Sequence, residues 1–144
     1  MKRIAIGCDH AGFELKEQIK TYLINKSIEV VDKGCYSAER VDYPDFGHAV
    51  STAVTNDASF QGILLCGSGN GIAMSANKHK GIRAALCWKE EIAKLARQHN
   101  DANILVLPAR YISADEAFHI IDAFLLESFE GGRHTNRIHK IDCV

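Results

Sequence analysis

GILLCGSGNGIAMSANK, residues 62–78, passes from an apolar run through a cysteine and a three-glycine loop into a segment of helical composition. Ile63, Leu64 and Leu65 suit a strand buried on both faces, and Gly67, Gly69 and Gly71 suit the tight turn that follows. A strand handing over to a helix in this way is half of a βαβ unit. Outward from it, apolar runs at 4–8, 30–31, 84–87 and 104–107 read as four more strands. Helical spacing fills the gaps. Leu15, Ile19, Tyr22 and Leu23 form one stripe, and Ile92, Leu95 and Ala96 mark another helix. Pro44 suits a first helical position ahead of Phe46, Ala49, Val50 and Ala53. Ser113 and Glu116 have capping-box spacing ahead of Phe118, Ile121, Phe124 and Leu125. Strands alternating with helices imply right-handed crossovers and a five-stranded parallel α/β sheet covered on both faces.

The whole chain, 1–144, reads as a single domain, without repeats, low-complexity tracts or linkers. A formal net charge of -1 gives no reason to expect nucleic acid or a membrane surface as partner, so any anion must be held by a local basic cluster. The opening MKRIAIGCDHAG is basic, but its apolar stretch is too short for a signal peptide. No apolar run approaches a membrane span, and a cytoplasmic location is expected. Five cysteines, odd in number and without a CxxC pair, suit a reducing compartment. Cys8, Cys35, Cys87 and Cys143 read as small buried hydrophobes. Cys66 stands apart because of the loop it opens.

In parallel sheets the ligand lies beyond the carboxyl ends of the strands. Asp9 and His10 follow the first strand, Cys66 to Gly71 the third and Arg110 the fifth, so all reach that edge. His99 and Asn100 come just before the fifth strand, at the opposite edge, and would join the site only from a neighbouring subunit. The loop's free N–H groups at a helix start suit an anion or an oxyanion, and a thiol there is expected to have a lowered pKa. Ile72 stands where a dinucleotide fingerprint needs glycine, and no Gly-Lys-Ser/Thr follows as in a P-loop. Arg133 and Arg137, four apart around His134, suit a phosphate if their segment is helical. The tail 130–144 is therefore read as phosphate-binding.

Each feature also has a plainer reading. The loop can be a tight turn, Asp9 a helix cap with His10 incidental, and His99 a companion of its helix dipole. Tyr43 can be a packing residue beside Pro44, and the tail a solvated basic end. His48, His79, His119 and His139 match no ligand spacing, and no His/Cys/carboxylate set has the spacing of a zinc site. Taken together, the thiol, oxyanion cradle, histidine acid and arginine clamp suit proton transfer beside the carbonyl of a sugar phosphate.

CDHAGF at 8–13, DYPDF at 42–46, CGSGNGI at 66–72, NKHKGIRAA at 77–85, RQHNDAN at 97–103 and GGRHTNR at 131–137 resemble type B ribose-5-phosphate isomerases, in order and over nearly the whole chain. The wider group includes isomerases of galactose 6-phosphate and allose 6-phosphate. The resemblance implies a Rossmann-like αβα sandwich and a homodimer with shared active sites, a dimer of dimers being left open. It implies interconversion of ribose 5-phosphate and ribulose 5-phosphate through a cis-enediolate, in the non-oxidative pentose phosphate branch, without metal or cofactor.

By the same resemblance Cys66 is the base, Ser68 its neighbouring hydroxyl, and Gly67, Ser68, Gly69, Asn70 and Gly71 the enediolate loop. His99 is the ring-opening acid, while Asp9 and Asn100 meet sugar hydroxyls. His10, Arg110, Arg133 and Arg137 are phosphate and substrate contacts, with Tyr43 and His134 in support. Some relatives replace the cysteine by a glutamate at the place of Ile72. This chain has the thiol and no carboxylate there, and serine at 68 where most cysteine-bearing relatives have threonine. Competing readings are a six-carbon sugar phosphate as substrate, a flavodoxin-like or receiver module, and a subunit needing a different catalytic partner. A receiver needs an acceptor aspartate where Cys66 stands.

Overall fold

The computed structural model describes residues 3–144; Lys2, counted above in the basic opening, lies outside them. Five strands form one parallel sheet: β1 (Arg3–Cys8), β2 (Val30–Asp32), β3 (Phe60–Cys66), β4 (Ala84–Leu86) and β5 (Ile104–Pro108), in the order β2-β1-β3-β5-β4. The helices are α1 (Phe13–Asn25), α2 (Tyr43–Asn56), α3 (Asn70–Ala76), α4 (Glu90–Asn100), α5 (Ala114–Leu126) and α6 (Arg133–His139), with a one-turn 3-10 helix at His10–Gly12. None is long and apolar enough to cross a membrane.

Alternation along the strands builds two cores. Ile4, Ile6, Ile63, Leu65, Leu105 and Leu107 point to the layer of α1, α4 and α5, whereas Ala5, Leu64, Cys66, Ile104 and Val106 point to α2 and α3. Each fully buried leucine or isoleucine contributes ~1.5–3 kcal/mol to this sandwich. The Ser113 capping box forms as its spacing implies, Ser113 Oγ accepting from the Glu116 N–H and the Glu116 carboxylate from the Ser113 N–H, both at 3.1 Å.

Several details depart from the sequence reading. β2 and β4 are half-buried edge strands rather than strands buried on both faces. β3 begins at Phe60, and Cys87 falls just beyond β4. Leu95 is on the exposed side of α4, and Cys143 is exposed rather than buried, because the chain end past α6 packs against little. The most consequential burial is of a charge. Lys16, on the core side of α1, is fully buried and donates to both Asp32 carboxylate oxygens at 2.7 Å and to the Cys35 carbonyl at 2.8 Å. This anchor fixes the turn after β2, whose Gly34 carbonyl in turn accepts from the Cys8 N–H at 2.7 Å, beside the start of the candidate site.

Candidate active site

The strand order reverses between β1 and β3, and the residues that leave these strands side by side are Asp9 and Cys66. Asp9 is nearly buried; its carboxylate accepts from the Ala11 N–H at 3.0 Å and so caps the 3-10 turn. His10 Nδ1 accepts from the Val41 N–H at 3.3 Å, which leaves Nε2 as the donor of the neutral ring. Asp9, His10, Val41, Asp42, Tyr43, Pro44 and Asp45 line a cleft of ≈ 430 Å³.

The loop after β3 is shaped by two glycines. Gly69 sits at φ 81, a backbone that side-chain-bearing residues rarely adopt, and it starts α3. Gly71 lies under the Tyr43 ring, where a Cβ would come within 2.3–2.8 Å of three ring atoms. Tyr43 is thus both a packing residue and the wall of the loop. Arg110 lies over the same loop: a Cβ on Gly67 would be 3.1 Å from its Nη1. Its N–H donates to the Gly67 carbonyl at 3.1 Å. Ser68 is exposed, and its Oγ accepts from the Asn70 N–H at 3.3 Å.

The Cys66 thiol does not have the lowered pKa expected from the loop. Burial, with the residue only 5% exposed, pushes it up, and the Asp9 carboxylate adds to that. The N–H groups of Ile72, Gly69 and Gly71 work in the other direction but do not prevail. Desolvation is set by the packing of α2 and α3 on β3, which loop composition does not reveal.

The remaining candidates gather at the other edge of the sheet. The seven residues of β3 separate the two edges by ~23 Å. His99 and Asn100 end α4, as expected from their place before β5. Arg133, His134 and Arg137 share the helix α6, which contacts α4. The His99 and His134 rings stack with centroids 4.4 Å apart and an interplanar angle of 15°. His134 is buried and its Nε2 has no hydrogen-bond partner among the described residues, while Arg133 and Arg137 are exposed. Burial, then Arg133 and His99, lower the His134 pKa, with Glu130 opposing and Arg137 adding to the lowering. Within one chain, then, Cys66, Ser68, Asp9, His10, Tyr43 and Arg110 come together, and His99, Asn100, Arg133, His134 and Arg137 form a separate group.

Glu130 is a residue that sequence spacing missed. Donor atoms of His99, Glu130 and His134 lie within 4.8 Å of one another, a grouping that arises only because α6 folds back on α4. Arg133 and Arg137 set an unfavourable field for a cation there, and near-parallel rings do not aim their nitrogens at one point as a metal requires.

A parallel αβα sandwich with polar groups at a topological switch point defines a Rossmann-like protein with a small-molecule crevice. The chain belongs to a family described as Ribose/Galactose Isomerase, whose model matches residues 4–141. It is 46% identical over 144 residues to ribose-5-phosphate isomerase B of Escherichia coli, covering 100% of this chain and 97% of that one. A crystal structure of a ribose 5-phosphate isomerase (rpib) from Thermotoga maritima superposes with a TM-score of 0.98 at 55% identity, covering 99% of both chains. Ribose-5-phosphate isomerase B from Mycoplasma genitalium, solved with bound ribulose-5-phosphate, matches with a TM-score of 0.93 at 46% identity, over 98% of this chain and 94% of that one.

Proposed function

We propose that this chain is an aldose-ketose isomerase that interconverts ribose 5-phosphate and ribulose 5-phosphate, with Cys66 as the base. The observation that carries the mechanism is the placement of the Cys66 sulfur at the end of β3, faced by the N–H groups of Ile72, Gly69 and Gly71. The thiolate removes the C2 proton of the open-chain aldose. The resulting cis-enediolate is held by the loop N–H groups; the proton on O2 passes to O1, and the thiol returns its proton to C1 as the ketose carbonyl forms at C2. Ser68 helps position the base or its substrate, and Asp9 and Asn100 meet sugar hydroxyls.

Ribose 5-phosphate is cyclic and must first open, by proton donation to its ring oxygen, the role assigned to His99. Ribulose 5-phosphate is open, because its phosphate occupies the hydroxyl that would close a five-membered ring on C2. Arg133 and Arg137 hold the phosphate, with His10 and Arg110 completing the grip; the stretch 130–144 is then a phosphate-binding tail of a single domain.

Because the thiol and the ring-opening acid stand at opposite edges of one chain, the working unit is a homodimer in which each site takes Cys66 from one copy and His99 from the other. Cationic side chains of the second copy, brought near Cys66, would also favour its thiolate. No cofactor enters this route, and the setting is the non-oxidative pentose phosphate branch in the cytoplasm. Steady-state turnover of ribose, allose and galactose phosphates by the purified protein tests the reading. The ribose ester is expected to have the highest kcat/KM; preference for a six-carbon ester would move the assignment within the family.

A further inference from the structure

The segment between α5 and α6 is tied to the end of α4 beside His99. The Glu130 N–H donates to the Gln98 carbonyl at 3.0 Å, and Gln98 Nε2 donates to the Glu127 carboxylate at 2.7 Å. This tether sets Glu130 one turn before His134, with its carboxylate 3.7 Å from His134 Nε2. That is ion-pair reach rather than a hydrogen bond, and rotation of the exposed Glu130 side chain closes it. His134 Nε2 is the buried side-chain nitrogen or oxygen that lacks a partner among the described residues, so a polar atom there is costly until something meets it.

The charges around the stacked rings are unequal. Burial first, then Arg133 and Arg137 from α6 and His99 from α4, disfavour a proton on His134; Glu130 is the anion that favours it. Two imidazoles with centroids 4.4 Å apart cannot both be cationic cheaply, so Glu130 is the group that offsets these opposing effects on His134. Ring opening needs a proton donor at this place.

We propose that Glu130 is a positioning residue for ring opening: its carboxylate meets His134, favours a proton on that ring against its other neighbours, and orients the stacked His99–His134 pair toward the ring oxygen of a cyclic aldose phosphate. The proposal rests on the reading of His99 as the ring-opening acid. Glu130 itself touches no substrate. It acts on the cyclic substrate only, because ribulose 5-phosphate needs no opening.

This difference provides the test. Glu130→Gln is compared with the unaltered protein in two assays: turnover of ribose 5-phosphate, and deuterium exchange at C1 of ribulose 5-phosphate in D2O. The second reports enediolate formation without ring opening. The expected result is a fall of about tenfold in kcat on ribose 5-phosphate, KM little changed, and C1 exchange within about twofold of the original rate. The pH at which ribose 5-phosphate turnover stops rising should move lower, since losing the anion makes His134 release its proton sooner. Glu130→Asp should recover part of the lost turnover. Equal losses in both assays would assign Glu130 a merely structural role, and unchanged turnover would assign it none; either overturns the proposal. If the unaltered protein neither turns over nor exchanges these substrates, the isomerase reading itself fails.

Discussion

At Cys66, burial and Asp9 oppose the thiolate while three backbone N–H groups favour it, and burial has the larger effect. In the proposed mechanism, the active thiolate of Cys66 is then the minority form near neutrality. Below the thiol's pKa, C1 deuterium exchange on ribulose 5-phosphate, which needs no ring-opening acid, should rise roughly tenfold per pH unit, as a profile between about pH 6 and pH 8 would show. A flat profile there would mean that the thiol is already ionised. The place of Cys66, at the end of a strand and the start of a glycine loop, was legible from the apolar run and the glycines that follow it. Its ionisation was not, because desolvation comes from α2 and α3. Lys16 was equally hidden: a lysine next to the apolar stripe of α1 looks like a solvated residue, yet it is fully buried on Asp32. Burial pushes the Asp32 carboxyl up, but bonds from Lys16, Lys20 and the Gly34 N–H hold it below its usual value. That contribution to stability is present above the unfolded carboxyl pKa of ~3.9 and is lost as pH falls through the lower folded value. Asp32→Asn leaves Lys16 charged without its partner and should destabilise by about 3–5 kcal/mol in urea unfolding at pH 7.

The elements were read with uneven success for a physical reason. Helices α1, α2, α4 and α5 carry stripes or caps that tertiary packing merely uses, so their positions follow from local pattern. The three-residue strands β2 and β4 have too few residues to show a period, and only the sheet makes clear that they are its edges. Contacts between elements were the hidden part. Nothing local says that the first residue of α2, Tyr43, lies over Gly71 at the start of α3. Because a Cβ at 71 would overlap that ring, Gly71→Ala should displace Tyr43 or the loop N–H groups. We expect kcat on ribose 5-phosphate to fall by at least about tenfold while the circular dichroism spectrum stays native, since the strain is local to the turn. Retained turnover in that variant would mean that the loop geometry has slack.

For the whole molecule, the topology places one set of candidates beyond β1, β3 and β5 and the other at the far ends of α4 and α6. That separation was legible from the order of strands and helices alone, because His99 precedes a strand whereas Cys66 ends one. The trio of His99, Glu130 and His134 was not, since it depends on how a short helix docks. Chains carrying Cys66→Ala and His99→Asn, each inactive alone, test the shared site. After random exchange half the dimers are hybrids with one intact site each, so about a quarter of the original activity should return. No recovery after demonstrated exchange would put both residues in one chain's site. The most direct measurement of the account as a whole is C1 deuterium exchange on ribulose 5-phosphate by Cys66→Ala, with substrate binding followed in parallel. Bound substrate with no detectable exchange is the expected result. Exchange near the original rate would mean that another group removes the proton.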